Sequence, residues 1–212
     1  MSGERVRIGV AVAVPDPWGA ELEGWRASFG DPQAAAIPAH ITLLPPTVVE
    51  AARLDDVEAH LDGAAAEARP FDVHLRGTGT FRPVSPVVFV ALAAGISGCE
   101  SLERLVRRGI LDRDVALPYH PHVTVAHDLP DDVLDDAYTA LAAFSARFAV
   151  REFVLYVHGE GVWSPRRVFP LPWGGAYDDV IHDIRNLHMV PDYIEEPLML
   201  FLVGEIPFEI NL

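Results

Sequence analysis

Two rhythms of apolar and polar residues alternate along this chain, one with a period of two and one with a helical period. Arg5 to Val14 is rich in β-branched residues and reads as a strand. Pro17 to Ser28 has helical spacing, with Trp18, Leu22 and Trp25 on one face. Pro38 introduces a second strand that begins at His40 and is ended by Pro45-Pro46. Glu50 to Ala68 is an Ala-, Leu- and Glu-rich helix. Phe71 to Phe81 and Val87 to Ala93 read as strands joined by a turn over Arg82 to Pro86. Ser97 or Ser101 starts a helix that runs to about Ile110, with Leu102, Leu105 and Val106 on its apolar side. A loop from Asp112 to Pro121 leads to a strand from His122 to about Ala126. Asp131 to Arg147 reads as a helix, and Ala149 to Val157 with Val162 to Leu171 as a hairpin around His158-Gly-Glu-Gly161. Beyond Ala176 the composition changes: alanine disappears, and eight acidic residues accompany a single arginine, Arg185. That tail predicts a short helix near Asp178 to Leu187 and a strand near Leu198 to Glu205.

One pattern occurs twice. His40-Ile41-Thr42 continues into Leu43, and His122-Val123-Thr124 continues into Val125, 82 residues later. Each copy is followed by a helix and then by two strands joined by a turn. Matching outside the tripeptides is poor, so the duplication is read from organisation rather than identity. The expectation is an α+β fold: a bilobal, pseudo-twofold duplicated domain with two mostly antiparallel sheets facing a central cleft and helices outside. This domain spans residues 1–173, and residues 174–212 form an acidic and apolar appendage.

Composition narrows the chemistry. The chain has 212 residues, half of them apolar and 22% charged, which is ordinary globular composition. The formal net charge is −15, and all 16 basic residues are arginine. Such a surface repels a long polyanion, so a nucleic-acid substrate is expected to be short or gripped at one end, with no long duplex bound. The absence of lysine excludes Schiff-base chemistry and a phosphate-loop lysine. A single cysteine, Cys99, excludes an internal disulfide and a cysteine-based metal cluster. It has no evident catalytic partner. No run resembles a signal peptide or a membrane span, and the expected location is the cytoplasm.

The doubled tripeptide carries the chemical signal. Side chains two apart on a strand share a face, so His40 and Thr42 project together, as do His122 and Thr124. Two such strands facing each other bring two imidazoles and two hydroxyls to one site. Imidazole titrates near neutrality, so one ring accepts a proton while the other donates one. In-line cleavage of a phosphodiester needs those two services on opposite sides of phosphorus, and needs no metal to provide them. Threonine hydroxyls donate hydrogen bonds to the non-bridging oxygens, where charge builds in the transition state.

PAHITLLPP (38–46) and YHPHVTVAH (119–127) resemble the paired signatures of the 2H phosphoesterase superfamily, and most closely its LigT-like branch, labelled 2′-5′ RNA ligase or RNA 2′,3′-cyclic phosphodiesterase. GTGTFRP (77–83) with the following VVFVAL, and the terminal hairpin with Trp163 and Phe169-Pro-Leu171, resemble further segments of that family. The resemblance covers about residues 5–173. It implies His40, Thr42, His122 and Thr124 as the catalytic set, with His40 as acid and His122 as base. It implies metal-independent opening of 2′,3′-cyclic phosphates to 2′-phosphates, with the reverse reaction accounting for the ligase label. Many relatives carry arginine three residues after the second threonine, where this chain has His127.

The expected partners are therefore a short RNA end or a nucleotide, with no cofactor, no metal and no membrane; nothing in the sequence speaks to oligomeric state. Tyr119, His127, Arg82, Phe81 and Trp163 are the candidate substrate-binding residues. For Phe81 and Trp163 core packing is the alternative to base stacking, and for Arg82, Arg166 and Arg167 it is a solvated ion pair. A zinc site from His40, His120, His122 and His127 lacks a well-placed carboxylate and leaves the threonines without a role. His60, His74, His158, His182 and His188 fall in no pattern. Two other functions remain open at this point: a phosphonucleotide-binding module without turnover, and a phosphodiesterase for a small metabolite such as an ADP-ribose cyclic phosphate.

Overall fold

A computed structural model describes residues 4–113 and 118–172. The helix and strand expected in the tail lie outside the described residues, as does the appendage itself. Among these residues eight strands form two antiparallel four-stranded sheets. One sheet has the order β2-β1-β7-β8, built from β1 (Arg5–Ala13), β2 (His40–Glu50), β7 (Glu152–Gly159) and β8 (Val162–Pro170). The other has the order β5-β4-β3-β6, built from β3 (Phe71–Thr80), β4 (Val87–Ala94), β5 (His122–His127) and β6 (Ser145–Val150). Among the described residues, the strand that carries the His-x-Thr motif is an edge strand in each sheet and pairs only with the strand that precedes it in sequence. The expected duplicated α+β plan is therefore present.

The four helices are α1 (Trp18–Ser28), α2 (Leu54–Glu67), α3 (Ile96–Val106) and α4 (Asp131–Ala140). Their packing is reciprocal. Helix α1 leads into β2 yet contacts β5, while α3 leads towards β5 and contacts β2. Strands β2 and β5 also touch each other. One continuous core runs through both halves, from Ile8 and Ile41 to Val123 and Phe153. Apolar side chains of both sheets thus share the same dry interior, which makes folding of the two halves interdependent.

Four details depart from the sequence reading. The strand starting at His40 does not end at Pro45-Pro46 but continues to Glu50. Ile8 pairs with Thr47 and Val10 with Leu44, so both prolines fall in a bulge of an edge strand, where no ladder N–H is required of them. The helix expected to reach Arg147 stops at Ala140, and the remaining run forms β6 against β3. Alanine favours helix there, but the open edge of β3 recruits the segment. The strand expected over Ala149 to Val157 is two strands that part at Arg151, one for each sheet. Finally, α3 begins after Gly95 rather than at a serine. Gly95 has φ of 90°, and a Cβ there would lie 2.6 Å from the Asp72 carbonyl oxygen.

The strand pairs that follow each motif are exchanged between sheets. The β3–β4 pair, after the first motif, lies beside the second motif's strand; the β7–β8 hairpin, after the second motif, lies in the first motif's sheet. Among the described residues no helix is long and apolar enough to cross a membrane. Phe153 is fully buried and stacks on Phe169 at 5.1 Å between ring centroids, joining the start of β7 to the end of β8. Phe153→Ala is expected to lower unfolding free energy by about 3–5 kcal/mol, measured by urea denaturation.

Candidate active site

The two motif strands match beyond their sequence. The burial pattern over His40–Leu44 is the same as that over His122–Ala126: histidine and threonine half-buried, the residue after each fully buried. Each strand also bulges just after its threonine. Ala11 pairs with Thr42 but Val10 with Leu44, and Phe89 pairs with Thr124 but Val88 with Ala126. The extra residue lets two consecutive side chains, Leu43-Leu44 and Val125-Ala126, enter the core. The strand therefore turns inward directly after presenting its imidazole and hydroxyl.

Both rings are anchored identically. His40 Nδ1 lies 2.7 Å from the Pro38 carbonyl oxygen, and His122 Nδ1 lies 2.7 Å from the His120 carbonyl oxygen. A carbonyl only accepts, so Nδ1 carries the proton in each ring and Nε2 of the neutral ring is a free base. Burial is the main cause that lowers both pKa values. His40 is brought down to about 4, with Arg26 and His122 adding repulsion and the Pro38 hydrogen bond opposing them. His122 is also lowered, by burial and by His120, against the hydrogen bond to the His120 carbonyl.

The motifs line two adjoining hollows that share Thr42. The first, about 210 Å³, contains His40, Thr42, Thr124 and His127, with Arg26, Tyr156 and Trp163 in its walls. The second, about 560 Å³, contains Thr42 and His122, with Phe81, Tyr119, His120 and Arg107. Tyr119 Oη donates to the Thr42 carbonyl oxygen at 3.0 Å, which ties the segment before β5 to β2. Burial raises the Tyr119 pKa, so the hydroxyl stays a donor.

Aromatic groups border each histidine. The Phe81 ring meets His122 edge-on at 4.9 Å and packs on Phe89 at 4.5 Å. Phe89 fits because residue 79 is glycine: a Cβ there would sit 2.5 Å from the Phe89 ring. In the first hollow, Trp163 packs with buried Tyr156 and passes 3.3 Å from where a Cβ of Gly9 would be.

Some sequence candidates lie elsewhere. Arg82 is outside both hollows and pairs with Asp131 and Asp135 of α4 at 3.5 and 2.6 Å. Arg166 and Arg167 pair with Glu58 and Asp62 of α2. Arg82 lies on the turn between β3 and β4 and Arg166 and Arg167 lie within β8, and all three pair with helices rather than line the hollows. His127 does line the first hollow, with Nε2 3.3 Å from Asp128 Oδ2. The histidines of the zinc alternative are divided, His40 and His127 in one hollow and His120 and His122 in the other.

Sequence reasoning missed Arg26 and Tyr156. Arg26 is 5% exposed, and its Nε and Nη2 both donate to Asp31 Oδ2, at 3.1 and 2.8 Å. Its signal was available: Arg26 follows buried Leu22 by one helical turn, so a charge stands on the inward side of α1.

The profile of the 2′-5′ RNA ligase superfamily matches residues 14–162. A Bacillus licheniformis protein, named as an inferred phosphoesterase, is 29% identical over 144 residues, 66% of this chain and 85% of that protein. An Oceanobacillus iheyensis protein of the same naming is 27% identical over 66% of this chain and 84% of its own. Among solved structures, Escherichia coli LigT with 3′-AMP superposes with a TM-score of 0.58 at 23% identity, over 79% of this chain and 99% of LigT. A Thermus thermophilus protein superposes with a TM-score of 0.52 at 23% identity, over 80% of this chain and all of its own. With its fold shared and most of its length matched, the chain belongs to the 2′-5′ RNA ligase superfamily, that of the two-histidine phosphoesterases.

Proposed function

We propose that this cleft opens 2′,3′-cyclic phosphates, on nucleotides or short RNA ends, to 2′-phosphates without a metal. The observation that carries this reading is the pair of identically anchored imidazoles, each with an unprotonated Nε2, on strands whose threonines share one hollow. One imidazole takes a proton from water as the water oxygen bonds to phosphorus. The P–O3′ bond breaks, and the other imidazole, entering as imidazolium, gives its proton to O3′. Solvent exchange then resets both rings. Thr42 and Thr124 hydroxyls donate to the non-bridging oxygens. That LigT has been crystallised with 3′-AMP supports a nucleotide as substrate.

The surroundings divide the two roles. Arg26 stands beside His40 and opposes a proton there, whereas among the described residues the causes that lower His122 are burial and His120, not a guanidinium. His40 is accordingly the base and His122 the acid in hydrolysis, the reverse of the order implied by family resemblance. A bound phosphate anion raises the imidazole pKa values and lets His122 hold its proton.

Replacing either histidine with alanine should slow opening of 2′,3′-cyclic AMP by roughly 10²–10⁴-fold, read as 2′-AMP formation by chromatography; full activity in both variants would refute the reaction. An aryl phosphodiester whose leaving group needs no proton separates the roles. It should restore much more turnover to His122→Ala than to His40→Ala, and the opposite order would reverse the assignment.

The pH dependence follows from the direction of the shifts. Each histidine binds its proton less readily in the folded chain than unfolded, so stability is intact above the usual imidazole pKa and declines as pH falls below it, for His40 down to about 4. His40→Asn should flatten the acid side of a thermal-melting series between about pH 6.5 and 4. NMR titration of the wild-type His40 ring should show no midpoint above 6.

A further inference from the structure

The first hollow contains one arginine, and it comes from an unexpected element. Among the described residues, Arg26 of α1 is the only arginine lining the hollow that holds His40, Thr42 and Thr124. A guanidinium has five N–H donors, and Asp31 Oδ2 takes two of them from Arg26. Asp31 Oδ1 is occupied separately, by the Gln33 backbone N–H at 2.8 Å. Gln33 lines the same hollow. Arg26 is thus a nearly buried cation, held from one side by a carboxylate, with donors left over in the wall of a mostly apolar hollow whose polar groups include His40, Thr42 and Thr124.

Other arginines are committed elsewhere. Arg82, Arg166 and Arg167 are paired with acids of α4 and α2. Arg107 lines the second hollow, but its Nη1 donates to Glu103 and its Nη2 to the Arg113 carbonyl. His127, in the first hollow, faces Asp128. A buried ion pair is costly to desolvate and often contributes little to stability. Its placement beside the threonines has a chemical use, because a planar guanidinium matches the oxygens of a phosphate.

We propose that Arg26 binds the substrate's phosphate, supplying from helix α1 the guanidinium that completes the two threonine hydroxyls, with Asp31 as its positioning residue. This rests on the reading that the cleft receives a phosphate. The ligand class is a phosphate monoester or diester anion with two non-bridging oxygens free, one for the guanidinium fork and one for the hydroxyls. Arg26 then has two effects on one site: it attracts the anion, and it adds to burial in opposing a proton on the neighbouring His40.

The test uses the full chain and inorganic phosphate, and requires no turnover. Phosphate affinity is measured by calorimetry for the wild type, for Arg26→Lys, and for Arg26→Gln combined with Asp31→Asn, which removes both charges together. Phosphate should bind the wild type, and the double variant should bind it roughly tenfold or more weakly. Arg26→Lys, which keeps the charge and loses the fork, should fall between them. The His40 ring in the double variant should also titrate at higher pH than in the wild type, a change that loss of a loop staple alone does not produce. Phosphate should shift the Arg26 Nε–H resonance of the wild type, so the proposal can be judged even if the double variant does not fold. Equal phosphate affinity in a folded variant, an unmoved Nε–H resonance at saturation, or no phosphate binding by the wild type would each overturn it. If phosphate binds through Arg26 but cyclic phosphates are not opened, the proposed reaction fails and this inference stands.

Discussion

The site depends on the meeting of two sheet edges. β2 and β5 each have one sheet neighbour, and their other side is covered by the opposite half: α3 lies against β2 and α1 against β5. Tyr119 adds a hydrogen bond across the join, to the backbone of Thr42 itself. Neither half therefore holds a finished site. The exchange of strand pairs strengthens the point, since β7–β8 must return from the far end of the chain to complete the first motif's sheet. Relative placement of the two imidazoles is set by packing of the shared core, which is dense and resists small displacements. Preorganisation of this kind is what general acid–base chemistry needs, because a small misplacement of a proton donor costs rate steeply.

The proposed binding of an anion by a protein with a net charge of −15 is reconciled by distance. Salt screens exposed charges beyond about 8–10 Å, whereas a buried guanidinium acts at close range in a poorly screened setting. Several surface acids are already occupied: Asp131 and Asp135 by Arg82, and Glu58 and Asp62 by Arg166 and Arg167. Their arginines anchor the β3–β4 turn and β8 to neighbouring helices. The arginine supply is thereby divided between scaffold and cleft. On the proposed reading the global charge acts on a long polyanion, while Arg26 and the threonine hydroxyls meet the single phosphate.

Much of this was legible in the chain. Strand alternation alone places His40 with Thr42 and His122 with Thr124, and the observed burial follows it. What alternation cannot reveal is where two residues occupy the space of one. The bulges after both threonines, and the one that accommodates Pro45-Pro46, are properties of pairing with β1 and β4 rather than of local composition. The same limit explains β6. Residues 145–150 have no strong local preference for strand, and only the waiting edge of β3 makes one of them. Arg82 sits on a turn from which a contact in the cleft is possible, yet its guanidinium pairs with α4. Arg26 escaped notice because a lone arginine in an amphipathic helix usually faces water, and the buried Asp31 that holds it inward comes after the helix ends.

Duplication gave the cleft two equal groups, and equal groups make a poor acid–base pair. Identical anchoring to Pro38 and His120 carbonyls leaves the rings with the same tautomer, so the motif itself assigns no roles. Difference has to come from the walls. Around His122 they are Phe81, Phe89 and the ring of His120. Near His40 stands a permanent cation, Arg26. Burial lowers both imidazoles, but only one of them also faces a charge that never leaves. In the proposed reaction the phosphate's negative charge is felt by both rings, and on His40's side Arg26 answers part of it, which leaves the proton to His122. On that reading a symmetric fold takes its direction from one side chain that the duplicated motif does not contain.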